Sequence, residues 1–72
     1  MAVIHGYING ALAAAGKVPM DWDALRSTSL LLSAAATTIE QHAAVQQLQV
    51  ATTPAQVHRA IVELQTAFRG QR

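Results

Sequence analysis

Apolar residues in the middle of the chain recur at the three- and four-residue spacing of one helix face. From Asp21 to Val50 the sequence contains no Pro and no Gly. Asp21 is a suitable N-cap, because its carboxylate can accept hydrogen bonds from the free N–H groups of a first turn. The spacing predicts one long helix over 21–50. Its row is Trp22, Leu25, Ser29, Leu32, Ala36, Ile39, Ala43, Gln46 and Val50.

The segment Ser33–Thr38 is the weak point of this predicted helix. Its sequence is SAAATT, and Ser and Thr within a helix compete for backbone hydrogen bonds and bend the axis. A break there would give two shorter helices and fold the chain back into a compact bundle. The sequence leaves a continuous helix and a broken one as alternatives.

Shorter helices are predicted on both sides. Residues 3–15 read as a helix that ends at Gly16, before the extended Val18-Pro19 turn. Residues 54–69 read as a helix that starts with Thr53 at the N-cap, Pro at the first position and Gln56 at the third, and that ends at Gly70. Its seam consists of Val57, Ile61, Leu64 and Phe68.

The predicted fold is therefore all-α, in one small helical domain over 1–72. A short loop between the last two helices favours an antiparallel hairpin of the long central helix with the C-terminal helix. The short N-terminal helix would cover the remaining half of the central one. A two-layer rod of this kind is the leading arrangement, and the folded-back bundle is the alternative.

A second row on the central helix has no cover in the two-layer rod. We expect it to contact other protein chains, because an exposed apolar patch of that size is rare on soluble monomers. Leu31 and Leu48 should be its main contacts. Small residues at Gly6 and Gly10 would permit a second close approach, and a frayed N-terminus is the alternative for this segment. Trp22 is a candidate interface anchor, with packing in the core as the alternative. The row is Leu31, Ala35, Thr38, Val45 and Leu48.

Composition supports assembly rather than an independent monomer. The chain has 72 residues, of which 51% are hydrophobic and only 12% charged, and it contains no Cys. A chain this short buries a modest core, and small domains without disulfides or metals often depend on oligomerisation. The net charge of +1 gives no argument for nucleic acid or an anionic membrane. No stretch has the length and hydropathy expected of a membrane span.

Candidate chemistry is weak. His5, His42 and His58 lack the spacing of a zinc site, and Ser27 or Ser29 with a His and Glu40 is a set that any helical protein offers. Arg59 and Glu63, one turn apart, are most simply a surface ion pair. The basic residues near the C-terminus are too few for a nucleic-acid face. They are Arg59, Arg69 and Arg72. We therefore expect no enzyme activity, no cofactor and no metal.

The function that fits these expectations is that of a structural or assembly subunit. It would form a homo-oligomer or a filament, or join a larger particle such as a virion, by packing apolar helix faces. The alternatives are a small regulatory protein that docks a helix into a partner, and an accessory subunit of an enzyme complex. We expect a cytoplasmic protein, or part of a particle assembled in the cytoplasm.

Overall fold

The computed structural model describes residues 3–69, and this part of the chain is all-α, as predicted. The N-terminal helix has the predicted bounds, and the last helix ends at Ala67 rather than at Arg69. Gly70 and Arg72 lie outside the described residues. The helices are α1 Val3–Ala15, α2 Trp22–Ala35, α3 Ile39–Val50 and α4 Pro54–Ala67.

The prediction of a single long helix over 21–50 is wrong, because the chain leaves the helical conformation at Ala36–Thr38. Ala36 has an extended backbone, with φ −69° and ψ 136°. Gln41 reaches back to the break, and its Oε1 accepts from the N–H groups of Thr37 at 2.8 Å and Thr38 at 3.3 Å. The Thr38 hydroxyl oxygen in turn accepts from the Gln41 N–H at 3.0 Å. This reciprocal capping box satisfies backbone donors and starts α3 as a separate helix.

The break also resets which face of the helix is buried. In α2 the buried residues follow the predicted row, at Leu25, Ser29 and Leu32. In α3 the predicted row is at the surface: Ile39 is 88% exposed and Val50 66%. A different set of α3 residues is buried because the non-helical residues at the break change the rotation of α3 about its axis relative to α2. The buried residues of α3 are Gln41, Ala44, Val45 and Leu48.

The four helices form a closed bundle instead of a two-layer rod. Each helix packs against its neighbours in the chain, and α1 also packs against α4. The bundle measures 31 × 21 × 17 Å along its principal axes. The largest enclosed side chains come from α2, α3 and α4 and from the turn after α4: Phe68, Leu32, Ile61, Leu64, Val45 and Val57.

Asp21 caps α2 as predicted. Its Oδ1 accepts from the Ala24 N–H at 3.0 Å, and its Oδ2 lies 3.5 Å from the Lys17 ammonium. The backbone hydrogen bond from Ala24, assisted by Lys17, lowers the pKa of this carboxyl below its ordinary value. The cap is therefore ionised at neutral pH, where it also complements the positive end of the helix dipole.

Candidate protein-interaction surface

The second row does not form one uncovered surface. Leu31 is 48% exposed and remains available for contact, and Ala35 is partly buried. Thr38 is the exposed N-cap of α3. Val45 and Leu48 lie in the core, so their prediction as surface contacts is wrong. These five residues share one face only in a continuous helix, and the break at Ala36–Thr38 separates the two halves of the row.

The small residues of α1 occupy two different surroundings. A Cβ added to Gly6 would meet nothing within 4 Å, so no backbone approaches it within the described residues. A Cβ at Gly10 would lie 4.0 Å from the Thr28 hydroxyl oxygen of α2, an ordinary contact. Trp22 is partly buried and packs against the core. Gly6 and Gly10 stay predictions as contact positions, and Trp22 contributes to packing within the chain.

Two exposed apolar areas emerge from the described residues. One lies on α2, where Leu30 is 66% exposed beside the half-exposed Leu31. The other lies along the junction of α3 and α4, where Val50 and Val62, the latter 60% exposed, face outward. The sequence pattern missed the second area, because it placed Val50 inside the helix seam.

The junction of α3 and α4 carries two open depressions along its length. The larger, about 310 Å³, is lined by Glu40, Ala43, Ala44, Val62, Glu63, Thr66 and Ala67. The smaller, about 170 Å³, is lined by Gln47, Val50, Ala51, Gln56 and Arg59. We call the exposed surface formed by these two depressions the α3/α4 face. Most of its lining residues are alanine, valine and uncharged polar residues.

Charge on the α3/α4 face is divided between its ends. Glu40 and Glu63 line the larger depression, and Arg59 lines the smaller one. The predicted ion pair between Arg59 and Glu63 is absent, since no ion pair joins these two described residues. Both side chains are exposed and remain available to a partner.

The candidate catalytic and metal-ligating residues lie on four different helices. Ser29 is buried, and its hydroxyl donates to the Arg26 carbonyl oxygen at 2.7 Å, which is a helix-internal contact. His42 and His58 are exposed on α3 and α4. Among the described residues no cluster of three or more His, Cys, Asp or Glu could hold a metal ion. Over the same 3–69 range, no helix has both the length and the apolar character needed to cross a membrane.

Comparison with known proteins gives no relative: no family model, curated protein or solved structure matches this sequence significantly.

Proposed function

We propose that this chain is a non-enzymatic assembly subunit that binds further copies of itself through exposed apolar helix surfaces. The observation that carries the proposal is that large aliphatic side chains point outward from helices whose other side chains already fill the core of the bundle. Burying a side chain of this kind is favourable by roughly 1.5–3 kcal/mol. Those in the two apolar areas are Leu30, Leu31, Val50 and Val62.

The polar part of the surface favours the same function. Among Asp, Glu, Lys and Arg, α3 contains only Glu40, and exposed polar positions are occupied by Gln46, Gln47 and Gln49. Helix α1 contains no Asp, Glu, Lys or Arg. Neutral polar groups lose less hydration free energy than charged groups when a partner covers them. A surface of this composition is easier to bury than the charged surface of a typical soluble domain.

The proposal is tested by measuring mass against concentration with sedimentation velocity. We expect the parent chain to form a multimer at micromolar concentrations. A variant with Gln at Leu30, Leu31, Val50 and Val62 should be a monomer with unchanged circular dichroism, because these side chains lie outside the core. A parent that stays monomeric across the range would contradict the proposal. So would a folded variant of the same mass as the parent.

A further inference from the structure

The α3/α4 face is lined by residues from one side of each helix, about one turn apart or, for Val62 and Glu63, adjacent. On α3 they are Glu40, Ala43, Gln47 and Val50, and on α4 they are Arg59, Val62, Glu63 and Thr66. Gln41 Nε2 donates to the Ala67 carbonyl oxygen at 3.3 Å, so the start of α3 lies beside the end of α4. Residues of both helices at the other end, Val50 and Gln56, line the smaller depression. The face is thus a two-helix surface with an acidic end and a basic end.

We propose that the α3/α4 face binds the same face of a second copy, with the helices of the two copies running in opposite directions. This inference rests on the proposed self-assembly and names the surface that performs it. A two-fold axis across the helices places the acidic end of each copy on the basic end of the other. Glu63 then meets Arg59 of the second copy, and Arg59 meets its Glu63, as an isologous interface requires.

Charge selects this orientation over its rival. If the helices of the two copies ran in the same direction, Glu40 and Glu63 of both copies would gather at one end. Like charges brought together at an interface repel each other, so that arrangement is disfavoured. In the opposed arrangement each exposed Glu63 carboxylate gains a cationic partner that it lacks within its own described chain.

The apolar part of the face suits a close approach of helices. On α4, Val62 lies about one turn after Arg59 and directly before Glu63. The small side chains of Ala43 and Ala44 on α3 line the same depression as Val62. Small residues next to a protruding Val allow a ridge of one copy to enter the groove of the other. Val62 would therefore lie near the centre of the contact, with the charged pairs around it.

Charge reversal at the paired positions tests the inference. The variants are Arg59→Glu and Glu63→Arg, each alone, then mixed in equal amounts, then combined in one chain. Each single variant should dissociate at least tenfold more readily than the parent, because like charges then face each other across the axis. The equal mixture should form a one-to-one dimer, and the combined variant should regain self-association. Asp23→Lys in the first turn of α2 is the charge-reversal control, because this exposed residue lines neither apolar area, and it should associate as the parent does.

Sedimentation velocity with circular dichroism separates the outcomes. Single reversals that leave the association of the parent unchanged would overturn the α3/α4 face while the proposed assembly function stands. Failure of the mixture to associate, with both variants folded, would overturn the opposed orientation. A parent that is monomeric at all concentrations would overturn the inference and the proposed function together.

Discussion

The chain builds the same turn twice, once at the edge of the core and once at the surface. Ala36-Thr37-Thr38 precedes α3, and Ala51-Thr52-Thr53 precedes α4. In the second turn Gln56 Oε1 accepts from the Thr52 N–H at 2.8 Å and the Thr53 N–H at 3.3 Å, the same lengths that Gln41 makes in the first. The backbones before the two caps are also alike, with φ −69° and ψ 136° at Ala36 and φ −65° and ψ 135° at Ala51.

The two turns differ in what surrounds their glutamine. Gln41 is 3% exposed, and its amide nitrogen also donates to the Ala67 carbonyl oxygen on the neighbouring helix. Gln56 is exposed, and its hydrogen bonds stay within its own turn. The same local motif therefore acts as a cap in both places, but only the first copy also connects two helices.

Replacing each capping glutamine by alanine should separate the two turns most clearly in the free energy of unfolding. Gln41→Ala would leave N–H donors and the Ala67 carbonyl without a partner in partly buried surroundings, where an unsatisfied group costs about 1–3 kcal/mol. We expect a loss of about 2–3 kcal/mol in the free energy of unfolding. Gln56→Ala should lose about 0.5–1 kcal/mol, because water replaces its bonds. Urea unfolding followed by circular dichroism measures both, and equal losses would contradict the distinction between the two turns.

Replacing each glutamine by glutamate should change the stability of the protein in opposite directions at the two turns. A carboxylate can still accept from the backbone N–H groups and suits the first turn of a helix. At position 56, in solvent, we expect Gln56→Glu to be neutral or stabilising by up to about 0.5 kcal/mol. Gln41→Glu should destabilise by about 1–2 kcal/mol, because the carboxylate cannot donate to Ala67 and its charge is buried. Urea unfolding at neutral pH gives the sign of each change, and two changes of the same sign would refute the prediction.

The second turn was predictable from the sequence, and the first was predicted only as an alternative. Thr53-Pro54-Ala55-Gln56 has Pro at the first helical position, and this residue cannot continue a preceding helix. Thr38-Ile39-Glu40-Gln41 has the same capping residues but Ile in place of Pro. Ile39 also extended an apolar row across the break, so periodicity favoured continuity. The repeated Ala-Thr-Thr with Gln three residues after the second Thr was the signal that could have located the break.

The exposed surface was predicted less well than the helices for a related reason. Local capping and turn chemistry depend on a few adjacent residues, and they predicted α1, the start of α2 and α4 correctly. Which face of α3 is buried depends on its rotation relative to α2, and the three-residue break changes that rotation. The α3 half of the first row, which ends at Val50, is therefore exposed instead of buried, and Val45 and Leu48 are buried instead of exposed.

Transferring the proline of the second turn to the first tests the central claim, that the chain breaks at Ala36–Thr38. Ile39 is the first residue of α3, its side chain is 88% exposed, and Thr38 already has an extended backbone with φ −119° and ψ 160°. A residue before Pro prefers that conformation. The substitution should therefore leave the native turn intact and restrict the unfolded chain.

The deciding measurement is the free energy of unfolding of Ile39→Pro, obtained by urea titration beside the parent. Because Pro suits the first position of a helix, we predict a change between zero and a gain of about 1 kcal/mol, with circular dichroism unchanged. In a continuous helix over 21–50 the same substitution would fall in the interior and remove a hydrogen bond. A loss of about 3 kcal/mol or more would therefore contradict the break and the bundle built on it.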